Sequence, residues 1–197
     1  MKIICINGNY ANLENLPKEP VFFLKADTSL LIRNRPFFVP NFDDNIHCKA
    51  ELVVKLNRIG KHIGSKFAHK YYSELAVGVS FVAKGLQDDL QRKSQPWDLA
   101  NCFDFSAAVS NFIPLNDLNI NDIDVEFKIN NKTVQKFNTS NMIFSVDNLI
   151  EYLSKFISFR IGDYLYTGSP EPSFRVLQGD NLRVFLNGFE MMNFEIK

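Results

Sequence analysis

A mostly β chain with a few helices (α+β) is what the sequence predicts, and three observations carry that prediction. Residues 46–56 alternate with period two. His47, Lys49, Glu51, Val53 and Lys55 point one way; Cys48, Ala50, Leu52, Val54 and Leu56 point the other. That pattern is a strand with one wholly apolar face. Residues 125–137 read as a hairpin turning at Asn130-Asn131, because asparagine tolerates the positive φ of a tight turn. One segment carries a sustained helical stripe: Leu149, Ile150, Leu153, Phe156 and Ile157 follow Ser145 as N-cap and Asp147 in the first turn.

The remaining elements follow in chain order. Residues 2–6 form a strand closed by the turn Asn7-Gly8-Asn9, and residues 21–25 form a second apolar strand ending in Lys25. Short strand-like pieces fall at 30–32 and 37–39, punctuated by Pro36 and Pro40. A short helix covers 66–72, and a buried strand covers 75–83 with Lys84 at its end. A helical turn then passes through Leu86, Leu90 and Gln91. Gly162-Asp163 and Gly179-Asp180 are turns leading into strands at 164–166 and 182–186, and the last strand is 189–196. No linker, repeat or low-complexity segment interrupts the chain, so residues 1–197 read as a single domain.

Composition narrows the function classes. With 22 basic and 22 acidic residues, formal net charge is zero, which gives no footprint for nucleic acid or an anionic membrane. Nineteen phenylalanines point to an aromatic core. Cys5, Cys48 and Cys102 are odd in number and widely spaced, so neither a disulfide framework nor a zinc cluster is indicated. The opening residues lack a secretory apolar region and no apolar run reaches spanning length, which leads to the expectation of a soluble cytoplasmic protein.

On the strand at 46–56, side chains two residues apart on one face lie roughly 7 Å apart, so Lys49 and Glu51 can address one small site. From this stretch alone, the simpler reading is a half-buried strand with a solvated polar face. His62 and His69 lie in a basic, exposed segment, and Cys48 and Cys102 read as small buried hydrophobes.

Several ordered motifs carry a family resemblance. They are Asn9-Tyr10-Ala11, the run from Pro20 to Lys25, His47-x-x-x-Glu51-Leu52 and Asp89-Leu90-Gln91. Pro96-Trp97-x-Leu99-Ala100, Met142-Ile143-Phe144-Ser145 and Thr167-Gly168-Ser169-Pro170 complete the set. In order and near-spacing they resemble the fumarylacetoacetate hydrolase family across essentially the whole chain. The similarity is to its short, single-domain branch of acylpyruvate hydrolases, oxaloacetate decarboxylases and dienedioate isomerases. The resemblance implies a mixed β-roll, usually homodimeric. It also implies Mg²⁺ or Mn²⁺ held by two glutamates of a His-x-Glu-x-Glu strand and an aspartate ending a later strand, there to polarise a 2-oxo acid.

By that resemblance the ligand positions fall on Lys49, Glu51 and Lys84, so only Glu51 is retained. The local formal charge changes from −3 to +1, and an ammonium a few Å away repels a dication. No metal is therefore expected. The family's proton-handling positions are altered too: a catalytic histidine falls on Leu13, an arginine on Asp88 and a lysine on Asn101. Tyr10, Lys25, Gln91, Thr139, Thr167 and Ser169 persist as residues that, by resemblance, line or support the pocket.

Three readings of the lysines stand. One ammonium pairs with Glu51 in the space of the lost ion, since a buried unpaired carboxylate is costly. Alternatively, Lys25, Lys49 and Lys84 form a small-anion site, or one lysine is a Schiff-base nucleophile. The expectation is a protein of this fold with impaired catalysis, acting as a ligand-binding or interaction protein. Its expected partners are a second copy and a small anionic 2-oxo acid. The alternative is an active hydrolase, decarboxylase or isomerase of a small 2-oxo diacid working with a rearranged site.

Overall fold

The computed structural model describes residues 1–10, 16–116 and 118–197. Among these, the strands form a nine-stranded mixed sheet and a four-stranded antiparallel sheet. The large sheet is built on a long hairpin of β4 (Ile46–Leu56) and β5 (Tyr72–Ala83). β1 (Ile3–Asn7) lies between β2 (Val21–Lys25), antiparallel to it, and β10 (Tyr164–Tyr166), parallel to it. β10 pairs with β4, and β6 (Ala107–Val109) and β3 (Leu30–Ile32) extend the sheet beyond β5. Two short strands, β7 (Ile113–Pro114) and β11 (Phe174–Arg175), pair with β5 and β4 off this path.

The small sheet has β8 (Asp124–Ile129) between β9 (Lys132–Asn138) and β12 (Asn181–Leu186), with β13 (Phe189–Glu195) beyond β12. Asn130 and Asn131 both take positive φ in the β8–β9 turn, as the hairpin reading requires. The apolar faces of the two sheets close on each other: Leu52, Val54, Phe81, Phe127 and Val184 are all fully buried in one core. Burial of this continuous apolar surface is the main force holding the sheets together.

Short helices seal the ends: α1 (Ser65–Ala68), α2 (Lys84–Arg92), α3 (Asp98–Asn101) and α4 (Val146–Leu153). Ser145 caps α4 by accepting from the Asn148 amide, and Leu149, Ile150 and Leu153 are buried. The stripe ends sooner than its pattern implies, because the helix stops at Leu153 and Phe156 is exposed. Residues 37–39 form no strand; Phe37 makes only an isolated bridge to Ile196. None of the described helices is long and apolar enough to cross a membrane.

Candidate functional site

The β4–β5 ladder fixes the site. It sets Lys49 opposite Ser80 and Glu51 opposite Gly78. Lys49, Glu51 and Ser80 open into a cavity of about 290 Å³ that also takes in Asn101, Ser169 and Glu171. That volume lies near the lower end of ligand pockets, roughly 300–1,000 Å³, and suits a small molecule. The face of β4 carrying His47, Lys49 and Glu51 is not a solvated surface. Glu51 is only 5% exposed where the turn after β10 lies over it, and Val53 is fully buried in a second apolar cluster with Ile3, Cys5 and Tyr166.

That turn is held from several directions. Thr167 donates both its amide and its hydroxyl to the Leu52 carbonyl, each at 3.0 Å. Asn9 Nδ2 donates to the carbonyls of Thr167 and Phe144, and Asn9 Oδ1 accepts from the Phe144 amide. Gly168 then takes φ +89°, a conformation in which a Cβ would sit 2.8 Å from Asn9 Cβ. In that conformation its amide donates to Glu51 Oε2 at 2.9 Å. Gln135, from β9, donates to Ser169 Oγ and the Pro170 carbonyl while its Oε1 accepts from the Ala50 amide.

Electrostatics single out Glu51. Burial pushes its carboxyl up to about 7, against the opposing pull of the Gly168 amide and of the Lys49 and Lys25 charges. Lys25 is fully enclosed, with its Nζ donating to the carbonyls of Phe81 and Ser106 at 2.9 and 2.7 Å. Burial pulls its ammonium down to about 8. Asn101 lines the cavity, and its Nδ2 is a buried donor without a hydrogen-bond partner among the described residues.

The structure revises the expected lysine pairing. No lysine bridges Glu51 among the described residues: Lys49 forms an ion pair with Glu171, and Lys84 pairs with Asp88 at 2.6 Å. Lys84 follows the end of β5 directly as the first residue of α2 and lines the same cavity as Lys49 and Glu51, while the residue opposite Lys49 on the ladder is Ser80. Asp88 is therefore a helix partner for Lys84 on α2.

The predicted pocket residues divide between the cavity, its supports and other places. Ser169 and Asn101 line the cavity, and Lys25 lies buried beneath its wall. Thr167 supports the turn. Tyr10 lines the neighbouring cavity of about 470 Å³. Gln91 is exposed on α2, while Gln87, one turn earlier, reaches the cavity. Thr139 is buried elsewhere, its Oγ1 accepting from the Ile123 amide. Leu13 lies outside the described residues.

His47 Nδ1 lies 3.2 Å from Ser173 Oγ, and burial with the nearby Lys84 and Arg175 charges lowers its pKa. His62 and His69 are exposed as expected, whereas Cys102 is half-buried and accepts from the Ala26 amide. Sequence reasoning missed Ser80, Gln87, Gln135 and Glu171. Ser80 was reachable, since it shares the period-two pattern of its strand; Gln135 and Glu171 depend on contacts distant in sequence.

Comparison with known proteins places this geometry. The family model described as Fumarylacetoacetate (FAA) hydrolase C-terminal matches residues 2–197. The mitochondrial oxaloacetate tautomerase of Caenorhabditis elegans is 32% identical over 185 residues, covering 91% of this chain and 86% of that protein. A fumarylacetoacetate hydrolase family protein from Yersinia pestis superposes with a TM-score of 0.91 at 31% identity, covering all of this chain and 92% of the other. The fumarylpyruvate hydrolase of Pseudomonas aeruginosa, 23% identical, also gives 0.91 over all of this chain and 88% of its own, and was crystallised with Mn²⁺ and pyruvate.

That last structure overturns the expectation that no metal goes with this fold's site, since a protein of the same fold was crystallised in complex with Mn²⁺ and pyruvate. The donor set here nevertheless differs from three carboxylates. Glu51 offers one carboxylate, the residue opposite Lys49 is a serine, and Lys49 carries an ammonium. Among the described residues, no three His, Cys, Asp or Glu side chains converge on one point. The residues present do not reproduce the three-carboxylate arrangement.

Proposed function

The chain belongs to the fumarylacetoacetate hydrolase family, and from that premise we propose that it is an active enzyme on a small 2-oxo diacid, with keto–enol interconversion of oxaloacetate as its reaction. The matched relatives favour this reading over the impaired, purely ligand-binding protein that the altered ligand positions lead one to expect. The observation that carries it is the placement of Glu51: a buried carboxylate in a small polar cavity, oriented through one oxygen by the Gly168 amide.

Keto–enol interconversion breaks a C3–H bond and forms an O–H bond at C2, or the reverse. A carboxyl whose pKa lies near 7 can take the proton from C3 and return it to oxygen at neutral pH. Asn101 Nδ2 supplies a donor for the oxygen on which charge accumulates, and Lys49 supplies a cation for a substrate carboxylate. Every role assigned here belongs to the chain's own residues. The homodimer implied by the family remains part of the proposal, supported by Val21 and Leu24 exposed on the edge strand β2.

The test is the rate of conversion of enol- to keto-oxaloacetate, followed by absorbance with and without added Mn²⁺, against protein-free blanks. Acceleration beyond both blanks supports the proposal. Rates equal to the blanks under every condition overturn it and leave the binding-protein reading.

A further inference from the structure

The ion pair between Lys49 and Glu171 lies in the wall of the cavity, and its two members differ in exposure. Lys49 projects from the middle of β4, a strand paired on both sides. Glu171 follows a turn whose base is fixed by the Gly168–Glu51 and Gln135–Ser169 hydrogen bonds, while its own side chain is 44% exposed. Glu171 also lines the neighbouring cavity of about 470 Å³, where Lys136 is a second cation in the wall. Asn101 Nδ2 stands in the first cavity as a buried donor with no acceptor among the described residues.

We propose that Lys49 is the anchor for a ligand carboxylate and that Glu171 is its internal competitor, occupying Lys49 until a small 2-oxo acid displaces it. The ligand's second acceptor, its carbonyl oxygen, then meets Asn101 Nδ2. This inference deepens the proposed function and rests on that assignment of the cavity, but it concerns binding rather than turnover. It makes Glu171 a residue that sets affinity. A partly exposed ion pair is weak, so the competition is modest: its removal tightens binding by about 2- to 5-fold. A small penalty of this kind rejects weakly charged or uncharged molecules, which cannot replace Glu171 at Lys49.

The experiment is calorimetric titration of pyruvate into the full-length protein, Glu171→Gln, Lys49→Met and the double variant, with and without Mn²⁺. Glu171→Gln is expected to bind pyruvate about 2- to 5-fold more tightly than the unmodified protein. Lys49→Met is expected to bind more weakly, and in that background Glu171→Gln is expected to change nothing. An equal gain from Glu171→Gln in both backgrounds marks a general charge effect and overturns the proposal. So does no gain with Lys49 present, or no measurable pyruvate binding by any of the four proteins. Turnover of oxaloacetate is read separately: the binding pattern with no turnover overturns the proposed function and leaves this inference standing.

Discussion

The Gly168 amide donates to Glu51 Oε2 at 2.9 Å, so the turn after β10 both covers the carboxylate and fixes its orientation. That contact exists only because residue 168 adopts φ +89° and carries no Cβ. Gly168→Ala places a methyl group 2.8 Å from Asn9 Cβ and 3.3 Å from the Ile6 carbonyl, in a conformation that L residues avoid. We expect a loss of roughly 2 kcal/mol or more in urea unfolding, together with reduced turnover of oxaloacetate. A variant within about 0.5 kcal/mol of the unmodified protein contradicts this account of the turn.

Gln135 extends the same argument to the small sheet. Its Oε1 satisfies the buried Ala50 amide at 3.0 Å and its Nε2 holds Ser169 Oγ at 2.6 Å. Gln135→Leu leaves the Ala50 donor without its partner, a cost of about 1–3 kcal/mol, and loosens the loop bearing Glu171. Both a lower unfolding midpoint and a raised KM are expected. A raised KM alone would mean that the Ala50 amide finds another acceptor.

Lys25 gives a dependence on pH. Its folded value of about 8 lies below the ordinary lysine value, because burial disfavours the ammonium. Between about pH 8 and 10.5 the unfolded chain binds more protons, so this group makes stability rise with pH across that window and adds no slope below it. Lys25→Met abolishes the contribution. The stability advantage of the unmodified protein over the variant should therefore grow by about 2 kcal/mol from pH 8 to pH 10. An advantage that stays flat across that range shows that Lys25 titrates normally.

Asn101 tests the oxygen-binding side of the cavity. Asn101→Leu replaces a buried donor that has no partner among the described residues with a hydrocarbon of similar size, so folding stability should hold or improve. Oxaloacetate turnover should fall about 10²-fold or more, the effect of removing a donor to a developing oxyanion. Unchanged turnover would place the substrate oxygen elsewhere in the cavity.

The parts of the fold read from sequence are those set by local rules. The alternation in β4, the Asn130-Asn131 turn and the Ser145 cap are each specified by a few neighbouring residues, and each forms where its pattern lies. The site was legible only in part. Glu51 and Lys49 were placed in one cavity by strand periodicity, but their partners come from residues more than 100 positions away: Gly168 and Glu171. Lys84, at the point where β5 passes directly into α2, also lines this cavity, and the ladder adds Ser80 at the level of Lys49, a pairing that no local pattern marks. On a polar face that looked solvated, Glu51 is buried and His47 and Lys49 are half-buried, since the turn covering Glu51 is remote in sequence.

The central claim is that Glu51 moves the proton, and the most direct measurement compares stopped-flow decay of enol-oxaloacetate in the unmodified protein and in Glu51→Gln. The account predicts a loss of about 10²- to 10⁴-fold with the fold intact by circular dichroism, with or without Mn²⁺. A Glu51→Gln protein as fast as the unmodified one would contradict it and remove Glu51 from the chemistry.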